Sequence, residues 1–167
     1  MGPKKHLHNA PDTIRFGIIT VSSTRTKNED KSGIWIKKQA QKEGFLVADY
    51  RIVPDDKHRI AGAATDSIAE HGLHALILTG GTGISASDVT IEAIRPVFSK
   101  EMGAFSTLFT TLSFQKVDSA AVLSRSAAGI IGNTAVFCLP GSLDACKLGC
   151  RELIFPEIKH IAAHLTS

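Results

Sequence analysis

The 167-residue sequence has one tryptophan, one tyrosine, and three cysteines, Cys138, Cys146 and Cys150, confined to its last fifth. An odd, clustered set of thiols does not make a secreted disulfide framework, which normally shows an even number in a shorter chain. No apolar run approaches the roughly 18–20 residues of a membrane span. Met1 to Thr13 has no apolar stretch of the kind that opens a signal peptide. Position 6, where N-myristoylation needs Ser or Thr, is His6. A strong charge imbalance is also missing, since 19 basic and 16 acidic side chains leave a net charge of +3. That balance suits an anionic small molecule and falls short of the basic stripe of a nucleic-acid binder. A cytoplasmic protein with no membrane and no nucleic-acid partner is expected.

What is present is an ordinary globular composition, 43% apolar and 21% charged, with enough apolar material for a core without disulfides or a structural metal. Residues 1–12 are polar and read as a flexible N-terminal arm, leaving 13–167 as a single domain. Apolar runs then alternate with helical patterns. Ile14 to Val21 reads as a buried strand, Gly33 to Glu43 as a helix closed by Gly44, and Phe45 to Val53 as a second strand ended by Pro54. Asp56 to Glu70 is helical and stops at His71-Gly72. The wholly apolar Ala75 to Leu78 marks a central parallel strand, and Thr90 to Arg95 a short helix cut by Pro96. Phe105, Leu108, Phe109 and Leu112 predict an amphipathic helix. Gly132 to Leu139 is another strand, and a final helix runs from Leu143 to about Leu165 with a break at Pro156. The alternation implies an α/β fold with a mostly parallel sheet, so ligands are sought just beyond the carboxyl ends of the strands.

Those positions carry the chemistry. Thr79-Gly80-Gly81-Thr82-Gly83 follows the central strand directly. Three glycines in four positions let the backbone approach a ligand and turn its N–H groups toward an anion. No lysine lies near to make a P-loop. The loose dinucleotide match Gly81-x-Gly83-x-x-Ala86 lacks the long helix and the ribose-binding acid of that fold. Asp88 follows the loop; a carboxylate there either holds Mg2+ against bound phosphates or caps the next helix. Asp55, in Pro54-Asp55-Asp56, closes the second strand at the same sheet edge, as a metal or substrate ligand or as part of an acidic turn. Pro140-Gly141-Ser142 joins the last strand to the last helix. Ser22 and Arg25 after the first strand, Asp30, Ser32 and Gly33 at a helix start, and Arg125 are phosphate-binding group types.

In this order the motifs resemble the MogA/MoaB molybdenum-cofactor proteins, a domain also seen as the G domain of gephyrin. The resemblance runs from about Ile14 to Leu165. It is carried by Leu78 to Gly83 with Asp88-Val89-Thr90 and Glu92-Ala93, by Leu112-Ser113-Phe114, Ser124-Arg125 and Ala128-Gly129, by Phe137 to Ser142, by Asp30-x-Ser32-Gly33 and by Pro54-Asp55. It implies a three-layer α/β/α fold of the molybdopterin-binding type and a homotrimer or hexamer. The activity implied is adenylylation of the terminal phosphate of molybdopterin by Mg-ATP with release of pyrophosphate, and handover of the product to a molybdate-insertion protein. On this resemblance Asp88 and Asp55 are the catalytic carboxylates, with Asp88 the Mg2+ ligand directly or through water. Thr79 to Gly83, Ser22, Asp30, Ser32, Gly33, Ser113, Arg125, Pro140, Gly141 and Ser142 are substrate and nucleotide contacts. Ser87 stands where many members carry a basic residue, Ser23 where an aspartate is common, and Ile91 where many have proline. These departures align the chain with the MoaB-like branch and leave a non-catalytic, molybdopterin-binding role as the alternative.

Overall fold

The computed structural model describes residues 10–166, so most of the expected 1–12 arm lies outside the described residues. The strands are β1 (Arg15–Val21), β2 (Leu46–Val53), β3 (Ala75–Thr79), β4 (Lys100–Glu101), β5 (Ala127–Ile131) and β6 (Thr134–Leu139). The α-helices are α1 (Lys31–Lys42), α2 (Lys57–His71), α3 (Thr90–Ile94), α4 (Gly103–Val117), α5 (Leu143–Gly149) and α6 (Phe155–Leu165).

Helix limits follow from side chains that satisfy the free amides of a first turn. Asp30 accepts from Gly33 N at 3.0 Å, Asp56 from Arg59 N at 2.9 Å and Ser142 from Ala145 N at 3.2 Å. Gly72 ends α2 at φ +55°, and Gly44 lies just beyond α1 at φ +84°, the left-handed conformation that glycine adopts without strain. β1 and β3 are buried over nearly their whole length, as strands covered on both faces must be.

The six strands form one sheet in the order β2-β1-β3-β6-β5-β4. The first four are mutually parallel, while β5 runs antiparallel to β6, and β4 to β5. Alternating side chains feed two cores. Phe16, Ile18, Ile77 and Phe137 pack with α1, α4, α5 and α6, through Ile36, Phe109, Cys146 and Ile158. Ile19, Val21, Leu76, Leu78 and Val136 pack with α2 and α3, through Ile60, Ala64, Ile91 and Ile94. The result is the expected three-layer α/β/α arrangement. After β1 the chain moves outward to β2 and then crosses to β3 on the other side of β1. The order therefore reverses between β1 and β3, and the loops that follow them flank a crevice.

Four expectations change. The strand read from Gly132 begins at Thr134; Gly132, at φ +58°, belongs to the hairpin turn from β5, a strand absent from the sequence reading. Pro96 sits in a 3-10 turn, Arg95–Val97, that prolongs α3 rather than ending it. The last helix breaks before Pro156, through a wide π turn at Cys150–Ile154; Pro156 has no N–H for the normal ladder. In α4 the buried stripe is Phe105, Phe109 and Ser113. Leu108, Phe114 and Val117 stay exposed off that stripe, as do Val122 and Leu123 just beyond it.

Candidate active site

The crevice is built around the glycine loop. Thr79 is buried at the end of β3; its Oγ1 donates to Pro140 O at 3.1 Å and lies 3.0 Å from Cys146 Sγ. Gly80 N donates to Leu139 O at 3.0 Å. Gly80 has φ +97°, and a Cβ there would collide with Val21 O. Thr90 holds the loop from the far side, with Oγ1 to Gly80 O at 2.7 Å and N to Gly81 O at 2.9 Å. A Cβ on Gly141 would lie 3.1 Å from Gly80 Cα, so the two glycine turns touch. Every one of these bonds consumes a group that faces the fold. The N–H groups of Gly81, Thr82 and Gly83 donate to no protein acceptor among the described residues. Three consecutive unspent amides beside a cleft form a concave donor set suited to an anion. The α3 dipole adds little to them, because that helix has five residues.

The cleft above has a volume of about 280 Å3 and is lined by these glycines together with Ser22, Arg25, Asp88, Ser124, Pro140 and Gly141. Both predicted catalytic carboxylates stand at the loop. Asp88 lines the cavity, and its Oδ2 accepts from Ser85 N at 2.9 Å. That oxygen is 2.7 Å from where a Cβ on Gly83 would stand. Asp55 Oδ2 accepts from Ser23 N at 2.8 Å and Ser23 Oγ at 2.7 Å, while its Oδ1 lies 3.2 Å from a Cβ position on Gly81. Ser23 thus orients the Asp55 carboxylate. Each acid has one anchored oxygen and a second, Oδ1, with no protein donor among the described residues.

The two arginines occupy different stations. Arg125 is spent on the fold. Its Nε donates to Thr82 O at 3.0 Å and Gly83 O at 2.9 Å, and its two terminal nitrogens grip the Glu92 carboxylate at 2.5 and 3.2 Å. The mutual bond with Glu92 lowers that acid's pKa and raises that of Arg125. Arg125 braces the glycine loop from outside the cavity lining. Arg25 lines the cleft, and its guanidinium makes no hydrogen bond among the described residues; its nearest acid is Asp30 Oδ1 at 3.7 Å.

The helix-start group lies beneath the cleft. Asp30 is fully buried and capped into α1. Ser32 Oγ donates to Gly141 O at 2.9 Å, fixing the second turn from below. Gly33 gives room, since a Cβ there would meet Thr20 Oγ1 at 2.7 Å and Tyr50 Cε2 at 2.9 Å. Ser22 lines the cleft, and its Oγ accepts from Arg25 N at 3.1 Å, shaping the turn that carries that arginine.

Ser113 and Ser142 line a second cavity of about 490 Å3, which shares Ser124 with the first. Its wall includes Lys116, Lys147 and Arg151 beside Asp144 and Glu152, none of which the sequence reading singled out. The only sign available was the four-residue spacing of Lys147 and Arg151 on the last helical segment. The cysteines one position earlier on that segment face inward. Burial pushes the Cys146 thiol up to about 11, and Cys138 to about 12. They pack as small hydrophobes.

Comparison with known proteins agrees with this geometry. The pattern of a family described as "Probable molybdopterin binding domain" matches residues 17–160. The chain is 42% identical over 166 residues to the molybdenum cofactor biosynthesis protein B of Bacillus subtilis, covering 99% of this chain and 98% of that protein. It is 44% identical over 170 residues to the molybdopterin adenylyltransferase of Pyrococcus furiosus, covering 98% of each. The crystal structure of the tungsten cofactor synthesizing protein MoaB from Pyrococcus furiosus superposes with a TM-score of 0.85 at 43% identity, over 95% of this chain and 100% of that one. A sheet that reverses between β1 and β3, an unspent glycine-loop cradle at that point and this full-length similarity have one reading: the chain belongs to the molybdopterin-binding domain family of molybdenum-cofactor biosynthesis proteins.

Proposed function

We propose that this protein adenylylates molybdopterin. A terminal phosphate oxygen of the pterin attacks the α-phosphorus of ATP, the bond from that phosphorus to the bridging oxygen breaks, and pyrophosphate leaves. In such transfers a protein contributes mainly positioning and charge neutralisation. The observation that carries the reading is the row of unspent amides at Gly81, Thr82 and Gly83 set between two half-anchored carboxylates. The amides hold phosphate oxygens, with Pro140 and Gly141 forming the opposite wall. Arg25 supplies the positive charge that Ser87 does not. Arg125, Thr79, Asp30, Ser32 and Gly33 act from behind, by fixing the turns. The second cavity, with Ser113, Ser142 and its lysines, takes the pterin end, and Ser124 marks the border between the two substrates.

The carboxylates fit Mg2+, which keeps most of its waters and needs only one or two protein oxygens. Asp88 would hold it directly or through water, with Asp55 in support; when bound, the ion offsets the charge of the phosphates. The binding-only alternative has one supporting feature, the exposed Ser87 in place of a basic side chain. The Arg25 guanidinium, which lines the same cleft and makes no hydrogen bond among the described residues, weighs against it.

The reaction is assigned to the cytoplasm as part of this proposal. The exposed Leu108, Phe114, Val117, Val122 and Leu123 give the apolar surface that a homotrimer or hexamer covers. The product then passes to a molybdate-insertion protein. The test compares AMP transfer to molybdopterin by the wild type, Asp88→Asn and Asp55→Asn, with circular dichroism of each. Loss of turnover in folded variants supports the assignment. Wild-type rates in Asp88→Asn contradict it.

A further inference from the structure

Asp30 does more than an N-cap requires. Capping α1 uses Oδ1, which accepts from Gly33 N at 3.0 Å. Oδ2 accepts from Thr20 Oγ1 at 2.5 Å and from Tyr50 Oη at 2.7 Å. The residue is 0% exposed, and a buried carboxylate is costly unless donors and a countercharge surround it. Two hydroxyls and one amide supply the donors. The countercharge that reaches a carboxylate oxygen is Arg25, 3.7 Å from Oδ1. That distance is an ion pair without a tight hydrogen bond. The guanidinium is therefore drawn toward Asp30 while its N–H groups stay available to the cleft that it lines.

Tyr50 sits on β2, outside the cavity lining, and its hydroxyl reaches across to Asp30. The site is packed tightly enough that even a methyl group on Gly33 would crowd Asp30, Thr20 and Tyr50 together. Three hydrogen bonds orient the Asp30 carboxylate, and with it the oxygen that faces the Arg25 guanidinium.

We infer that Tyr50 is a positioning residue for polyphosphate binding: through the buried carboxylate of Asp30 it holds the Arg25 guanidinium at the cleft, where that cation takes the phosphate chain of the nucleotide. Placing a nucleotide there rests on the adenylylation reading; the Tyr50–Asp30–Arg25 linkage and its affinity for polyphosphate do not depend on turnover.

The test measures binding of Mg-ATP and of inorganic tripolyphosphate by titration calorimetry to the wild type, Tyr50→Phe, Arg25→Ala and the double variant, with thermal melts to verify folding. Arg25→Ala removes a charge-assisted contact and weakens both ligands about 10- to 100-fold. Tyr50→Phe keeps the ring, loses one hydrogen bond to Asp30 and weakens both about 3- to 10-fold. In the double variant the Tyr50 effect disappears, because its agent is gone. A Tyr50 that merely stabilised the fold would weaken binding by the same factor in either background, and that result overturns the inference. Unchanged tripolyphosphate affinity in Arg25→Ala overturns it as well. The two readings separate cleanly. Coupled tripolyphosphate binding without AMP transfer removes the adenylylation reading and keeps this one, while turnover with additive effects does the reverse. Where turnover is measured, Tyr50→Phe raises KM for ATP more than it lowers kcat.

Discussion

Arg125 was expected at the ligand and is found behind the loop, so its replacement by methionine separates a brace from a binding group. Arg125→Met keeps the length and apolar stem of the side chain. It removes the Nε bonds to Thr82 O and Gly83 O and the two-point grip on Glu92. The side chains of Arg125 and Glu92 are 35% and 38% exposed, so solvent screening reduces the ion pair to about 0.5–1 kcal/mol. The bonds to the loop carbonyls add about 1 kcal/mol. The sum, about 1–2 kcal/mol, lowers the midpoint of thermal unfolding by roughly 2–8 °C for a chain of this size. The loss depends on pH in one direction. Arg125 holds the Glu92 carboxyl below its ordinary value of 4.5. The pair's contribution is therefore complete above that value and fades as pH falls through the lower, folded-state value. The assay is differential scanning calorimetry of both proteins at neutral pH and at about pH 3.5. The gap in midpoint is expected to narrow in acid. A variant that melts with the wild type at neutral pH, or a gap that is the same at both, refutes the reasoning.

Other positions separate strain from contact. Gly80→Ala meets both a left-handed backbone and a collision with Val21 O, whereas Gly132→Ala meets the backbone penalty alone, with open space around it. Gly132→Ala is expected to cost about 1–2 kcal/mol in urea unfolding, and Gly80→Ala clearly more. The three thiols are buried, and burial pushes Cys138 up to about 12 and Cys146 up to about 11. At mildly alkaline pH a thiol-specific dye is expected to label none of them quickly in the folded protein and all after denaturation. Phe114→Glu puts a charge on the exposed flank of α4; sedimentation should show a shift toward smaller assemblies without loss of helix content, and an unchanged size would place the interface elsewhere.

The parts of the fold that were readable rest on local chemistry. Asp56 and Ser142 announce helix starts and Gly44 and Gly72 helix ends, because capping and left-handed turns depend on neighbours in sequence. Asp30, three residues ahead of the predicted start of α1, was read as a ligand and proved to be a cap as well. The strand β5 was missed because it is short and opens on Ala127-Ala128-Gly129, small residues with little strand preference, before Ile130-Ile131. Gly129 is there because a side chain would collide with the Phe98 ring. The Gly132-Asn133 step was a hairpin signal available in the sequence and passed over. In α4 the apolar period predicted burial of Leu108, but Ser113 takes a buried place on the stripe instead; periodicity cannot say which apolar side chains the rest of the fold covers.

At the site the glycine loop and the two carboxylates were readable, since the strand ends bring them together in any sheet of this order. The division of labour between Arg25 and Arg125 was not. It depends on Glu92, 33 residues from Arg125 in sequence, and on a buried Asp30 that spacing alone presents as an ordinary helix cap. The basic wall of the second cavity comes from α4 and the last helical segments together, a pairing made only by tertiary packing.

The central claim is tested most directly by incubating purified protein with molybdopterin, Mg2+ and α-labelled ATP, and following pyrophosphate release with the mass of the pterin product. The account predicts pyrophosphate only when molybdopterin is present, one AMP gained per pterin, and neither in Asp88→Asn. Molybdopterin bound tightly by the wild type, with no AMP transferred and no pyrophosphate released, would contradict it.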